Sequence, residues 1–303
     1  MLLPLVAKDL TVWWLDNLIN LQLQWSIFAI LLITVGIKHL RKVTIPLSVI
    51  YVSIILFNFN FLYISNNNQL TNNETLKIAQ LNIQYGNPNL EKLIYEIGQS
   101  DYDAIVLQEV GDDVGYSVLQ LKKIFPYSAG TGPLEGFPSG MAIFSRWPII
   151  NKKIHYLDNT ETHIIEAIIQ SPKMALPVHL FTLHPGSPRN NELWKLRNDT
   201  LNYLSKQVSS SLLPYKIILG DVNISPWSPI FKQLIKTSIL KNSANGFGYI
   251  PSWSYSDFNI ISRIVSSAYI DHCLVSDAFN IINKQYLRID GSDHVLVTTE
   301  LGL

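Results

Sequence analysis

Ile217-Ile218-Leu219-Gly220-Asp221-Val222-Asn223-Ile224-Ser225-Pro226-Trp227-Ser228-Pro229 is an apolar run that breaks at a glycine, followed by two polar residues at i and i+2 and a proline-rich turn. In extended chain, residues two apart point to the same side. The end of a buried strand therefore presents the Asp221 carboxylate and the Asn223 amide together at its rim. In layered α/β proteins that rim is where ligands bind. A strand closed by an Asx turn has the same spelling, so the stretch needs the rest of the chain to decide between the two.

Reading outward on both sides, the same signature recurs. Residues 77–84 alternate as a strand and contain Asn82. Residues 103–107 form a short apolar run followed by Gln108 and Glu109, and residues 178–183 run into His184. Asp271 lies in a predicted strand over 268–275, and Asp293 and His294 immediately precede another over 295–301. Further strands are expected over 140–146, 163–170 and 280–289. The apolar spacing predicts helices over 89–100, 116–125, 190–210 and 229–236. Strands and helices alternate early, and strands run together in the middle and at the end. This pattern predicts an α/β fold: two sheets packed as a sandwich with helices outside. Single polar residues on strands are common, but five strand ends carrying carboxylates, amides and imidazoles point to a site.

The N-terminal fifth is different in kind. Only 15% of the 303 residues are charged, against roughly 25% in ordinary soluble domains. No charge falls between Asp16 and Lys38, and none between Lys42 and Glu74. Two membrane-spanning helices are expected, over about 21–37 and 43–64, since a hydrocarbon core needs roughly 20 helical residues. The basic connector Lys38-His39-Leu40-Arg41-Lys42 belongs on the cytoplasmic side, so both ends of the hairpin and all that follows face outward. Residues 1–15 read as an interfacial helix, with a third span as the alternative. Residues 66–75 read as a polar linker between a membrane region, 1–65, and a globular domain, 76–303. That domain is slightly acidic, which argues against a strongly basic nucleic-acid clamp. The single cysteine, Cys273, forbids an intramolecular disulfide.

Carboxylates and amides without cysteine suit a hard cation, Mg2+ or Mn2+. Histidines beside them can donate to phosphate oxygens or move protons near neutral pH, and a carboxylate can fix a histidine's tautomer. These parts fit metal-assisted attack of water on a phosphate ester.

The ordered set Leu81-Asn82-Ile83-Gln84, Gln108-Glu109, Thr182-Leu183-His184, Gly220-Asp221-Val222-Asn223, Ile270-Asp271-His272 and Gly291-Ser292-Asp293-His294 resembles the endonuclease/exonuclease/phosphatase superfamily, with the DNase I-like fold. The resemblance spans about residues 76–303 and implies a four-layer α/β/β/α sandwich. It also implies that Glu109 binds the metal with help from Asn82 and Asp293, and that His294, oriented by Asp271, contacts the scissile phosphate. Asp221 then positions or deprotonates water, Asn223 holds a phosphate oxygen and His184 donates to the phosphate or leaving group. A narrower resemblance is to membrane-anchored bacterial members, through His184-Pro185-Gly186-Ser187-Pro188 and Arg197. It implies a multi-pass protein of the cytoplasmic membrane with its catalytic domain on the periplasmic side. Substrates of that type are nucleic acid, phospholipid or small phosphodiesters. No obligate protein partner is evident.

Other residues are read both ways. Arg146 and Arg197 suit phosphate or a structural role. His155, His163 and His179 read as surface or strand-face residues, His272 as structural and Cys273 as a buried apolar residue. Trp227, Trp253 and Tyr255 line a substrate groove or cover the core edge.

Overall fold

Leu76 and Ile78, Ala104 and Val106, Val178 and Leu180, and Ile217 and Leu219 recur at every second position and share one buried core with Cys273 and Val275. Alternation of that kind places the chain in extended strands with one face turned to a common interior. The computed structural model describes residues 12–39, 41–63, 74–132, 134, 136–157, 162–255 and 266–302. The first sheet contains β1 (Thr75–Asn82), β2 (Ala104–Gln108), β3 (Tyr127–Ala129), β4 (Ala142–Ser145), β13 (Asn280–Arg288) and β14 (Val295–Gly302), in spatial order β13-β14-β1-β2-β4-β3. The second contains β5 (Ile149–Tyr156), β6 (His163–Ile169), β7 (Val178–Leu183), β8 (Tyr215–Asp221), β9 (Lys241–Asn242) and β12 (Asp271–Val275), in order β5-β6-β7-β8-β12-β9. A short ribbon pairs β10 (Trp253–Ser254) with β11 (Ser267–Ala268). The pairs β1/β2 and β7/β8 are parallel.

Among the described residues, three helices precede β1: α1 (Trp13–Asn20), α2 (Gln22–His39) and α3 (Arg41–Tyr63). The outer face of the first sheet is covered by α4 (Leu90–Gly98) and α5 (Gly115–Leu119), through Leu90, Leu93, Ile94, Ile97 and Val118. The second sheet is covered by α6 (Asn191–Ser210) and α7 (Pro229–Ser238), through Leu201, Leu204, Val208, Phe231 and Leu234. The two sheets thus meet face to face with helices outside. Each fully buried Leu, Ile or Phe in these interfaces contributes roughly 1.5–3 kcal/mol relative to exposure.

Local chemistry sets the helix starts. Asn190 caps α6 by accepting from the Leu193 amide at 2.9 Å. Ser228 caps α7 by accepting from the Ile230 amide at 3.2 Å, with Pro229 at the first helical position, where a missing N–H costs nothing. The turn that follows Asp221 and Asn223 therefore starts a helix, and Trp227 within it is fully buried rather than part of a groove.

Some boundaries differ from the sequence expectation. β5 was not expected, because Asn151, Lys152 and Lys153 are exposed on it; it is a sheet edge, where lysines deter further pairing. The segment expected as one helix over 116–125 is α5 followed by a 3-10 turn, Gln120–Lys123. Among the described residues, no single helix is long and apolar enough to cross a membrane. The pair Trp13–Asn20 and Gln22–Gly36 is, taken together, but it bends by 72°. Apolar side chains of α2 and α3 such as Phe28, Leu31, Val35, Val43, Val49 and Leu56 are exposed. Most of the expected linker over 66–75 and of the expected N-terminal helix over 1–15 lies outside the described residues, and Thr75, placed in the linker, opens β1.

Candidate active site

The rows of inward-facing residues change character at one end of the sandwich. Leu76 and Ile78 give way to Gln80 and Asn82, Ala104 and Val106 to Gln108, and Val178 and Leu180 to Thr182 and His184. Ile217 and Leu219 lead to Asp221, and Val275 and Cys273 to Asp271. A polar layer therefore lies on the inter-sheet core and is tied across it. Gln80 Nε2 donates to Gln108 Oε1 (2.9 Å) and to Asp271 Oδ1 (2.6 Å).

Above this layer the predicted residues converge. Asn82 donates through Nδ2 to Glu109 Oε1 (2.9 Å) and Asp221 Oδ2 (3.3 Å). His184 Nε2 lies 3.8 Å from Glu109 Oε1 and 3.6 Å from Asp221 Oδ2. His294 Nδ1 donates to Asp271 Oδ2 at 2.8 Å, and its Nε2 lies 3.7 Å from Asp221 Oδ2 and 4.0 Å from Asp293 Oδ1. Asp293 accepts from Trp253 Nε1 at 2.8 Å. Asn223 gives one amide hydrogen to Pro185 O (2.9 Å), and its own N–H caps Asp221 Oδ1 at 2.9 Å; the Asx turn and the shared rim are both real. Glu109, His184, Asp221, Asn223, Asp293 and His294 line one cavity of about 590 Å³. Asn82 and Asp271 are fully buried behind it.

The backbone is bent to make this arrangement. Gln84, Glu109 and Asn223 hold left-handed φ values of 63°, 57° and 53°, a conformation that costs non-glycine residues of order 1–3 kcal/mol and clusters at functional sites. At Gly220 a Cβ would sit 2.6 Å from the Leu183 carbonyl oxygen, so only glycine lets β7 and β8 close up beside His184 and Asp221.

Electrostatics follow from burial and crowding. Burial, aided by the Asp271 charge, lifts the Asp221 carboxyl to about 6 against the pull of His294 and His184. Burial opposes charge on His294, but Asp271, Asp221 and Asp293 outweigh it and lift the imidazole to about 10. Burial also opposes charge on Asp271, yet the His294 charge and hydrogen bond hold its carboxyl below the ordinary value. The pair Asp271/His294 is thus carboxylate and imidazolium, with Asp221 the carboxyl that titrates beside it.

A cation suits this donor set. Glu109 and Asp221 have no lysine or arginine ion-pair partner among the described residues, only histidines at 3.6–3.8 Å. Glu109 and Asp293 are hard oxygen donors facing the cavity, with the Asn82 carboxamide behind them. A tighter cluster, Asp221, Asp271 and His294, has ligand-type atoms within 4.8 Å of one another. Asp271 is closed off, however, with both oxygens engaged by Gln80 and His294, so the metal-facing set is the more open one.

These strand-end residues, gathered at one rim of a two-sheet sandwich, coincide with a known family: residues 79–294 match Endonuclease/Exonuclease/phosphatase family. The chain belongs to this family. Its fold is that of the DNase I-like endonuclease/exonuclease/phosphatase superfamily, and solved structures agree. The 3' phosphatase NExo from Neisseria, bound to product DNA hairpin, superposes with a TM-score of 0.60 at 18% identity, covering 75% of this chain and 100% of that one. Sphingomyelinase C from Streptomyces griseocarneus gives 0.56 at 15% identity, covering 75% and 99%. Beta toxin from Staphylococcus aureus, with bound magnesium ions, gives 0.55 at 18%, covering 75% and 99%. No curated protein matches the chain. As a member of the endonuclease/exonuclease/phosphatase family it is a phosphoester hydrolase of the nuclease and phosphatase type.

Several side chains outside the expected set matter to the site, and others are corrected. Gln80 and Ser252 stand outside the sequence motifs, and Gln108 and Ser292 stand in them without an assigned role. Ser252 Oγ accepts from the Asp271 amide at 2.9 Å, and Ser292 Oγ donates to Asn82 O at 2.7 Å. The apolar-to-polar change along each alternating row was the signal for Gln80 and Gln108. Arg146 is not a phosphate ligand: it donates to Tyr102 O and Ser100 O, both at 2.7 Å, and stacks on Phe125. Arg197 is fully buried and paired with Asp16. Of the histidines read as surface or strand-face residues, His155 and His179 are buried strand-face residues: both donate to Glu166, at 2.7 and 2.9 Å, beneath α6. His272 is structural, donating to Ile224 O at 2.7 Å, and Cys273 is buried.

Proposed function

We propose that this protein is a membrane-tethered, Mg2+-dependent phosphoesterase that hydrolyses phosphodiesters outside the cytoplasmic membrane, with Mn2+ as a competent substitute. The observation that carries the reading is the Asp271–His294 pair set 3.7 Å from Asp221, beside carboxylates that have no lysine or arginine ion-pair partner among the described residues. Glu109 and Asp293 would hold the cation, with Asn82 helping through its hydrogen bond to Glu109, and the ion would supply stabilisation of negative charge on the phosphoryl oxygens. His294, kept cationic and oriented by Asp271, donates toward a phosphoryl oxygen or the leaving group. Asp221, with its carboxyl raised to about 6, orients and accepts a proton from attacking water. His184 faces the same volume from the other side and donates to the phosphate. Asn223 steadies a phosphate oxygen with its remaining amide hydrogen.

The charge-free segments around α2 and α3, with their exposed apolar side chains, support the tether. The basic connector 38–42 supports a cytoplasmic hairpin turn. A second reading for substrate class, a lipid head-group phosphodiester, is favoured by one contact: Asn17 and Asn20 of α1, which runs directly into apolar α2, line the same cavity as the catalytic residues. Turnover of bis(p-nitrophenyl) phosphate, a DNA hairpin and sphingomyelin vesicles, with Mg2+ and then with chelator, tests the proposal. Wild type is expected to act on at least one of these in a metal-dependent manner and His294→Ala on none; no such turnover on any substrate sinks it.

A further inference from the structure

Residues 13–20 precede the family-matched region by more than fifty positions, yet they are built into the site. Asp16 and Ile19 of α1 are buried. Ile19 packs with Trp227, Ala244 and Tyr269. Asp16 is buried without exposure: one carboxylate oxygen accepts from Ser228 Oγ at 2.6 Å, and the other from Trp194 Nε1 at 3.0 Å and from Arg197 Nη2. A carboxylate in such a place is costly unless paired and hydrogen-bonded, and here all of its partners lie in the catalytic domain.

The neighbouring polar residues of α1 reach the loops that carry the chemistry. Asn17 Nδ2 donates to Pro188 O at 2.7 Å, in the loop that follows His184. Asn20 Oδ1 accepts from the Ser225 amide at 3.0 Å, in the loop that follows Asp221 and Asn223. Arg197, held by Asp16, donates through Nη1 to Asn223 O at 2.9 Å, at the residue with the left-handed φ of 53°. Positions 16, 17 and 20 share one helical face. Three polar side chains of one short helix, two directly and one through Arg197, therefore fix the loops after β7 and β8.

We infer that α1 is a positioning element of the active site: through Asp16, Asn17 and Asn20 it clamps the two loops that place His184, Asp221 and Asn223. The inference adds to the phosphoesterase reading and uses its residue roles for the activity readout alone. Asn20 and Asn17 are positioning residues, since they hold loop backbone. The Asp16–Arg197 pair relaxes nothing by itself; it locks the helix in place and shares the Asn223 carbonyl.

The test uses the full chain in detergent micelles. Asn20→Leu removes the acceptor for the Ser225 amide, and Asn20→Asp keeps it. Asn20→Leu is expected to raise hydrogen exchange by at least tenfold at residues 222–227, with exchange in β1 and β2 unchanged and the melting temperature within about 3 °C of wild type. On a phosphodiester that wild type turns over, kcat is expected to fall ten- to hundredfold with KM within threefold. Asn20→Asp is expected to restore both exchange and kcat to within threefold of wild type. Asn17→Ala is expected to do the same as Asn20→Leu at residues 185–189. Unchanged exchange at both loops, or a wild-type kcat despite loosened loops, overturns the inference. A wild type without turnover sinks the phosphoesterase reading instead and leaves exchange to decide the clamp.

Discussion

Asp221 and Asp271 are register partners across β8 and β12, and His294 reaches both, with its two ring nitrogens 3.7 Å from one carboxylate and 2.8 Å from the other. Two buried carboxylates side by side cannot both ionise cheaply. His294 resolves the conflict by neutralising Asp271, which leaves Asp221 to change protonation near neutral pH.

Asp271→Asn keeps the shape of this group and removes its charge. The amide fails to stabilise an imidazolium at His294 and favours the wrong tautomer. The expected result is a fall in kcat of about 10²–10⁴ with little change in KM, by the logic of an orienting acid behind a catalytic histidine. Steady-state kinetics on whichever phosphodiester the wild type accepts checks it.

Glu109→Gln removes a partly buried carboxylate that faces the cavity and has no lysine or arginine ion-pair partner among the described residues. Mg2+ affinity, read by isothermal titration calorimetry, is expected to weaken by about 10–100-fold, the scale of metal-site perturbations. A far-UV spectrum and melting curve like those of wild type are expected alongside, since Glu109 contributes no packing to the core. Unchanged Mg2+ affinity would remove Glu109 from the metal site.

Gly220→Ala sets a Cβ 2.6 Å from the Leu183 carbonyl oxygen and 3.1 Å from Gln108 Nε2. Neither backbone can retreat without parting β7 from β8. Overpacking of this kind costs roughly 1–3 kcal/mol. Denaturant unfolding is expected to show that loss, with activity reduced in the fraction that remains folded.

Lys284 is buried with its ammonium held by Ser243 Oγ at 2.9 Å and Thr299 Oγ1 at 3.0 Å, and burial depresses its pKa to about 8. In the unfolded chain the same lysine keeps its proton to near 10.4. Between those values the unfolded state binds more protons, so its contribution to stability rises as pH climbs from about 8 to 10.4. Lys284→Met is expected to raise stability at pH 7 by about 1–2 kcal/mol, the charge burial relieved less the two hydrogen bonds lost. It is also expected to flatten the pH dependence in that alkaline window. Thermal melts at pH 7, 8, 9 and 10 check both.

The fold and the site were legible to different depths. Alternation in residues 76–82, 178–184 and 215–221 announces strands, and the change from apolar to polar along each row announces the rim, because a period of two carries information about which face a residue occupies. The edge strand β5 hid itself, since Lys152 and Lys153 on its exposed face erase the apolar signal. Asp16 and Arg197 were illegible for another reason. Each is an ordinary charged residue in its own segment, and only three-dimensional contact between positions 181 apart makes them a buried pair. The contact of His155 and His179 with Glu166 was hidden in the same way: no short spacing announces that three neighbouring strands and a helix bring them together.

β14, which carries Asp293 and His294 at its threshold, pairs antiparallel with β1, which ends in Asn82. The site thus draws on the first and last strands of the sandwich together with residues from both sheets. A growing chain that has made the first sheet's early strands has Asn82 and Glu109, yet it lacks His184, Asp221, Asp271 and His294. A chain stopped before residue 293 has neither Asp293 nor His294, so truncation ahead of β14 is expected to leave the cluster incomplete.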